Sequence, residues 1–310
     1  MRLGWVRSLP ELTPAADDVQ AMVRTGLPGG RVTGFENLTG GFANTNIRVD
    51  LADGRVLLRL YQRDARQAAK EAAVTALLGD TVPVARFLHI GRHEAYRFAL
   101  VEWIAGPRLE LSLPRMAARE KHEAGRATGL TLGAIHRVTY DRVGFLDAEL
   151  KIDFPIPEGF LLAFLRGSLI DGPANALLGD HLARAAMAYA QAHQHLEWGG
   201  PPCLIHSDFN GSNILMRGTE IAAVVDWEFA MSARPDADFG NLLRNHPDED
   251  FLAGVTQGYR ARGGVLPDNW RRLARLSDLV AWADILSRPG LHQSIVDSAR
   301  QAIGETLAAR

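Results

Sequence analysis

The sequence predicts an α+β fold with two lobes, a small lobe built on an antiparallel sheet and a larger lobe that is mostly helical. Segments of alternating apolar and polar residues, typical of strands, fill most of residues 31–62 and 85–104. One helical segment, residues 64–79, separates these two groups of strands. Beyond them, apolar residues recur mainly at helical spacing. We therefore expect an N-terminal lobe over residues 1–105 and a C-terminal lobe over residues 106–310.

The N-terminal lobe is predicted to begin with a helix over residues 14–25, which Gly26 ends. The three strands that follow should form an antiparallel meander, because glycine-containing turn signals separate them. These strands are expected within residues 31–41, 42–54 and 55–62. After the helix at 64–79, two further strands within 85–91 and 96–104 are expected.

The C-terminal lobe is predicted to consist of helices, with one exception. The helical segments are residues 115–138, 159–169, 179–196, 250–262 and 269–288. Residues 203–229 break this pattern with the short β-like runs CLI, NILM and IAAVVDW. The second and third runs predict a hairpin that turns at Arg217 and Gly218, and this hairpin would bring Asp226 beside Asn213.

Composition and charge exclude several classes of protein. With 47% hydrophobic and 23% charged residues, the chain has the composition of a globular protein. A formal net charge of −2 provides no overall attraction for nucleic acid or anionic membranes, so neither is expected as a partner. The single cysteine, Cys203, excludes an internal disulfide and suits a reducing compartment. Because no apolar run resembles a signal peptide or a membrane span, a cytoplasmic protein is expected.

The stretch HSDFNGSNIL, residues 206–215, crowds hydrogen-bonding side chains between two apolar runs. Polar groups in such a position are either bonded within a tight turn or form a working site. The predicted hairpin would place the carboxylate of Asp226 beside the amide of Asn213, and Mg²⁺ prefers oxygen ligands of this kind. Asp208 would remain available to accept the proton of a hydroxyl. These groups suit phosphoryl transfer, which needs mainly positioning and charge neutralisation.

HSDFNGSNIL and VVDWEFA together resemble the catalytic and metal-binding segments of the aminoglycoside phosphotransferase and choline kinase family, distant relatives of protein kinases. The resemblance extends over roughly residues 30–245. It implies a bilobal protein-kinase-like fold, with ATP and Mg²⁺ as cofactors and a hydroxyl of a small molecule, such as an aminoglycoside, an amino alcohol or a sugar-like compound, as phosphate acceptor. It also implies that Asp208 is the catalytic base and that Asn213 and Asp226 are the Mg²⁺ ligands.

The same resemblance assigns a nucleotide-binding role to residues of the N-terminal lobe. LTGGFANTNIRV resembles the hairpin that covers the phosphates in this family. Gly40 and Gly41 would let backbone amides approach the nucleotide, and Asn44 or Thr45 would add a hydrogen-bond donor.

Arg59, in RVLLRLY, lies where kinases usually hold the α- and β-phosphates with a lysine. Its expected partner is Glu71, which is the one glutamate between positions 60 and 93. In ALVEWIAG, the connector between the lobes, the backbone carbonyl of Glu102 and the amide of Ile104 would bind the adenine edge.

Alternative interpretations exist for several of these residues. Asp208 and Asn213 alone could belong to a capped turn without chemistry. His206, with the two aspartates, could instead bind zinc or manganese in a metal-dependent hydrolase, although we expect it to bond to backbone. The literal Asp-Phe-Gly at Asp238 follows no apolar strand, so Asp226 remains the expected metal ligand. The family resemblance implies instead that Asp238 bonds to backbone amides near the catalytic loop. Finally, the chain could bind a nucleotide without transferring phosphate.

Overall fold

The computed structural model describes residues 9–38, 44–64, 66–245 and 248–308. An antiparallel sheet with two helices forms the N-terminal part of the fold, and the C-terminal part is mostly helical with short strands. This arrangement confirms the predicted α+β class. The division into lobes at residue 105 stays a prediction.

The N-terminal sheet has five strands in the order β1-β2-β3-β5-β4, and every neighbouring pair is antiparallel. The predicted meander of the first three strands is therefore confirmed. The strands are β1, Val32–Asn37; β2, Thr45–Leu51; β3, Gly54–Tyr61; β4, Phe87–His93; and β5, Tyr96–Glu102. Helix α1, Ala16–Gly26, begins two residues later than predicted, and helix α2, Gln67–Leu78, begins three residues later.

Side chains alternate along each strand, so the two faces of this sheet contact different parts of the protein. One face packs its aliphatic residues against Val19, Met22 and Val23 of α1 and closes a separate small core. The other face carries Arg59 and faces α2. Helix α2 also contributes Val74 to the largest core of the protein, which consists otherwise mainly of C-terminal residues. The helix therefore joins the sheet to the C-terminal part.

The C-terminal part contains nine helices and six short strands within the described residues. The helices are α3, Leu109–Ser112; α4, Ala118–Ile135; α5, Phe160–Leu165; α6, Ala174–Leu178; α7, Asp180–His193; α8, Asp236–Asn245; α9, Glu249–Ala261; α10, Trp270–Leu286; and α11, Gln293–Ala308. The strands are β6, Gly144–Leu146; β7, Ile152–Pro155; β8, Cys203–Ile205; β9, Ile214–Arg217; β10, Glu220–Val224; and β11, Met231–Ala233.

Some of these elements differ from the prediction. Helix α5 ends at Leu165, and the chain continues through a π-helical turn over Arg166–Ile170 instead of one unbroken helix. Helices α3, α6, α8 and α11 were not predicted, and neither were strands β6, β7 and β11. Each of these strands has only three or four residues, too few for a periodic pattern to show. No helix in the described ranges is long and apolar enough to cross a bilayer.

Helices α4 and α9 approach each other closely along a line of glycines. In α4 the glycines lie four residues apart, so they share one face of the helix. A Cβ atom added to Gly125 would lie 2.0 Å from the carbonyl oxygen of Phe251, and one added to Gly129 would lie 2.0 Å from that of Val255. Helix α9 contributes Gly258 to the same contact, and a Cβ added there would lie 2.1 Å from the carbonyl oxygen of Arg126. The helix pair therefore packs backbone against backbone.

Candidate active site

The predicted hairpin of the C-terminal part is confirmed. Strands β9 and β10 pair antiparallel with Ile214 opposite Val224, and the turn between them begins at Gly218, whose φ of +62° favours glycine. Beyond the last pair, the amide of Val225 donates to the carbonyl of Asn213 over 2.9 Å. The hairpin therefore brings Asn213 beside the chain segment that carries Asp226.

Two asparagines hold the carboxylate of Asp208 in place. Asn210 donates through Nδ2 to Oδ1 of Asp208 over 2.6 Å, and Asn213 donates through Nδ2 to Oδ2 over 2.8 Å. The same Nδ2 of Asn213 also donates to the backbone carbonyl of Asp208 over 2.9 Å. Both acceptor oxygens belong to Asp208, and both bind the side-chain amide nitrogen of Asn213. The amide oxygen of Asn213, Oδ1, is therefore turned away from Asp208.

Asp238 anchors the loop before Asp208 by accepting hydrogen bonds from its backbone. This aspartate is fully buried in the first turn of α8, where it accepts from the amides of His206 over 2.9 Å and of Ser207 over 2.8 Å. Ser207 has a positive φ of +67°, which is an uncommon conformation for a residue other than glycine, and the contact supports it. His136 contacts the same carboxylate at 3.2 Å. The prediction that Asp238 bonds to backbone amides is confirmed.

His206 is a structural residue of this loop. Its Nδ1 accepts from the amide of Asp208 over 3.3 Å, and its Nε2 lies 3.0 Å from the carbonyl of Val225. Both ring nitrogens are thus occupied by backbone, which leaves none to bind zinc as the hydrolase alternative requires. In the described parts of the chain, the one group of three or more acidic, histidine or cysteine residues close enough to share a metal is Asp18 of α1, His93 at the end of β4 and Glu94 in the turn after it.

Arg59 links the N-terminal sheet to the C-terminal hairpin. Its buried guanidinium lies 2.7 Å from Oδ1 of Asp226. The predicted partner, Glu71 of α2, lies 3.5 Å from the same Nη2 atom. Burial of both groups distinguishes this pair from a solvent-exposed ion pair, which contributes little. The shortest contact, with Asp226, joins two residues that are 167 positions apart in the chain.

Glu228 is a member of this cluster that the sequence interpretation missed. Its Oε2 accepts from Nδ2 of Asn44 over 2.9 Å and from Nε2 of Gln67 over 2.5 Å, and it lies 3.5 Å from Nη2 of Arg59. Lys70 donates to the backbone carbonyl of Glu228 over 2.8 Å. The available signal was its position two residues after Asp226, in VVDWEFA, where two carboxylates lie close together in the sequence.

Asn44 and Thr45 were the two candidate donors of the phosphate-covering hairpin, and the structure places their side chains on opposite sides. The side chain of Asn44 lies with the cluster through its contact with Glu228. Thr45 lies on the opposite face of β2, where its hydroxyl accepts from the amide of Leu12 over 3.0 Å. The reason is the register, since Asn46, not Thr45, is paired with Arg59.

The remaining nucleotide-binding predictions fall on four positions in two segments. Gly40 and Gly41 lie outside the described residues. Glu102 is the last residue of β5, and its side chain pairs with Arg86 at 3.1 Å, which leaves only its backbone for the predicted role. Ile104 follows two residues later and packs in the small apolar cluster that includes Leu57 and Val225.

Burial and mutual repulsion favour the protonated form of the acidic residues around Arg59. Burial raises the pKa of Glu71 to about 8, against the opposing effect of Arg59. Burial, with repulsion from Asp226, raises the pKa of Glu228 to about 7. Burial also raises the pKa of Asp208, while His206 opposes the shift. The single charge of Arg59 therefore cannot neutralise all three neighbouring carboxylates, those of Glu71, Asp226 and Glu228.

We expect the free energy of unfolding to fall as the pH rises through neutrality, and Glu228 to account for part of the fall. Its pKa is higher in the folded chain than its ordinary value of 4.5, so the folded chain binds more protons and loses stability as the proton leaves. A shift of this size corresponds to about 3 kcal/mol. Glu228→Gln, which keeps the acceptor oxygen, should therefore flatten the dependence between about pH 4.5 and pH 7.

This prediction is checked by urea unfolding at a series of pH values, with EDTA present so that no metal binds the carboxylates. Glu220→Gln removes an exposed carboxylate and should leave the dependence unchanged. An identical pH dependence in the Glu228→Gln variant and the wild type would contradict the expectation.

Comparison with known proteins is consistent with this geometry. The model of the phosphotransferase enzyme family (APH) matches residues 34–276. Among curated proteins, none matches the chain by sequence. Solved structures with the same fold include a protein from Ralstonia eutropha JMP134, provisionally assigned as an aminoglycoside phosphotransferase, with a TM-score of 0.71 and 16% identity over 95% of this chain and 97% of that one.

Two further structures bind nucleotides. A thermostable variant of the aminoglycoside phosphotransferase APH(4)-Ia, in a ternary complex with ADP and hygromycin B, has a TM-score of 0.70 and 18% identity over 94% of this chain and 97% of that one. ADP-bound APH(2'')-Ib has a TM-score of 0.66 and 16% identity over 95% of this chain and 97% of that one. At these identities the likeness establishes the fold. With the family model matching most of its length, the chain belongs to the phosphotransferase enzyme family.

Proposed function

We propose that the protein transfers the γ-phosphate of ATP, with Mg²⁺, to a hydroxyl group of a small molecule. The observation that carries the proposal is the contact of 2.7 Å between Arg59 and Asp226. It places the cation proposed to hold phosphates against the carboxylate proposed to hold the metal. The Asp208 loop and Asn213 lead directly into the hairpin that ends at Asp226. Phosphoryl transfer needs such a concentration of charged groups, because its barrier is lowered mainly by positioning and electrostatics.

Asp208 is the proposed catalytic base. Both of its carboxyl oxygens accept an amide hydrogen, from Asn210 and Asn213, so the carboxylate is held in one orientation. Each oxygen keeps a further lone pair for the proton of an attacking hydroxyl. The side chain is partly exposed, which leaves it accessible to a substrate. Asn210 is a positioning residue in this scheme, since it acts through Asp208.

Asn213 and Asp226 are the proposed Mg²⁺ ligands, and their chemistry fits the ion. An amide oxygen and a carboxylate are hard donors, and Mg²⁺ typically takes few ligands from protein and the rest from phosphate and water. Asn213 can serve both groups at once, because Nδ2 holds Asp208 while Oδ1 is turned away from it. When bound, the ion would neutralise the charge of the phosphate oxygens.

The nucleotide is proposed to bind between residues 1–105, the nucleotide-binding lobe, and residues 106–310, the catalytic lobe. Its phosphates would meet Arg59, which Glu71 orients, below a hairpin that contributes Gly40, Gly41, Asn44 and Thr45. Of the last two, Asn44 has its side chain on the side of the cluster. The backbone of Glu102 and Ile104 would bind the adenine.

The acceptor is proposed to be an aminoglycoside, an amino alcohol or a sugar-like compound. The structural neighbours include complexes with hygromycin B and with gentamicin. These ligands belong to those proteins, and they make aminoglycosides the first compounds to assay here.

The experiment that tests the proposal measures ADP formed by the full chain with ATP and Mg²⁺ across a panel of aminoglycosides, amino alcohols and sugars. We expect ADP production that depends on one class of acceptor and stops when EDTA removes the metal. Calorimetry with ATP is run on the same protein. Binding of ATP without acceptor-dependent ADP would support a nucleotide-binding protein without transfer activity, and absence of ATP binding would contradict both functions.

A further inference from the structure

A half-open cavity of about 210 Å³ lies on the side of the N-terminal sheet that faces α2. Ile90 of the sheet and Ala68 of α2 provide apolar lining, and Gly91 and Phe98 also border the cavity, although the Phe98 side chain packs in the core on the α1 face. The cavity is smaller than the usual 300–1,000 Å³ of a site for drug-sized ligands, so it suits a compact molecule. None of its lining residues belongs to the proposed catalytic or nucleotide-binding set.

Three further residues line this cavity and form one row across the sheet. In the register of the sheet, Tyr61 of β3 is paired with Arg97 of β5, and Arg97 is paired with Arg92 of β4. Directly paired residues project their side chains from the same face. Two guanidinium groups are therefore placed opposite each other, and like charges in this position destabilise an antiparallel pair. An anion between them would remove the repulsion.

The guanidinium groups of this row are available to a ligand. The side chain of Arg97 makes no hydrogen bond or ion pair with the described residues. Arg92 uses Nε to donate to the carbonyl of Glu94 over 2.9 Å, so its outer nitrogens remain. The hydroxyl of Tyr61 is buried near the carboxyl of Glu71. The ring of Tyr61, which is 6% exposed, separates this cavity from Arg59, whose guanidinium carbon lies 5.5 Å from the ring centre.

From this geometry we propose that the cavity binds a small organic anion, an apolar body that carries one carboxylate or phosphate group. Arg92 and Arg97 would bind the charged group, because planar guanidinium groups match carboxylate and phosphate oxygens through paired hydrogen bonds. Ile90 and Ala68 would contact the apolar body. The site is independent of phosphate transfer and requires no activity for its detection.

The test measures binding of benzoate and phenyl phosphate to the full chain by calorimetry and ligand-detected NMR. Benzamidine, a cation of the same shape as benzoate, is the matched ligand control. We expect at least one of the anions to bind and benzamidine not to bind, and the tighter anion identifies the preferred charged group. Arg92→Gln and Arg97→Gln should each weaken binding about tenfold or more, since each removes a charge-assisted hydrogen bond.

Arg119→Gln is the matched protein control, because Arg119 is 91% exposed on α4 and its loss should not change the affinity. Circular dichroism establishes that the variants are folded. Absence of binding by both anions, or equal binding of benzamidine, would overturn the proposal. So would undiminished affinity in the double variant of Arg92 and Arg97, since the anion would then bind elsewhere.

Discussion

Replacing Asp208 by asparagine should lower the rate of phosphate transfer by about 10²- to 10⁴-fold. The amide cannot take up the proton of the acceptor hydroxyl, although it has the shape of the carboxylate and still offers an oxygen to Nδ2 of Asn213. Binding of ATP should persist, because Arg59 and Asp226 are unchanged. The measurement is acceptor-dependent ADP production, with the affinity for ATP determined by calorimetry on the same protein.

The control for this variant is Asp141→Asn, which makes the same chemical change at a side chain that is 68% exposed and paired with Arg142. It should have the activity of the wild type. The pH profile supplies a second readout. Since burial raises the pKa of Asp208, activity should fall on the acidic side at a pH above the ordinary carboxyl range of about 4. Turnover at the wild-type rate in Asp208→Asn would end its assignment as the base.

Gly129→Ala should destabilise the protein by about 3 kcal/mol or more. The added methyl group would lie 2.0 Å from the carbonyl oxygen of Val255 and 2.7 Å from the amide nitrogen of Tyr259. These atoms belong to the backbone of α9, so no side-chain rotation can relieve the overlap, and the two helices must separate. The loss is measured as the difference in unfolding free energy from urea denaturation.

Gly304→Ala is the matched control, because Gly304 lies in α11 and a Cβ there meets no atom within 4 Å. Alanine should stabilise this helix by about 0.5–1 kcal/mol, since glycine loses more backbone entropy on folding. The two substitutions are chemically identical, so their opposite signs isolate the helix contact. A Gly129→Ala variant as stable as the wild type would contradict the close packing of α4 against α9.

Much of the fold could be predicted because its elements carry strong local patterns. The five strands of the N-terminal sheet alternate apolar and polar residues, and turn signals separate several of them, so β1 to β5 fall within or overlap the predicted segments. Helices α3, α6, α8 and α11 were not predicted, and α3 and α6 have only four and five residues. In α8, Asp238 and Asn241 are buried polar residues, which interrupt the apolar periodicity on which helix prediction depends.

For the candidate site, the sequence predicted the course of the backbone better than the contacts between side chains. The hairpin that brings Asn213 beside the Asp226 segment follows from alternation and a turn signal, both of which are local. The contact of Arg59 with Asp226 and the position of Glu228 depend on how the sheet docks against that hairpin. Thr45 shows the same limit, since only the register of β2 against β3 decides which face its hydroxyl occupies.

The sequence by itself determined the order of strands and helices, the polar loop around Asp208 and the hairpin after it, because these depend on residues that are close along the chain. Only the tertiary structure decided which charges meet and which helices touch. Glu228 accepts hydrogen bonds from Asn44 and Gln67, and α4 packs against α9 through backbone atoms. These contacts join positions far apart in sequence, and the packing of the whole chain sets their distances.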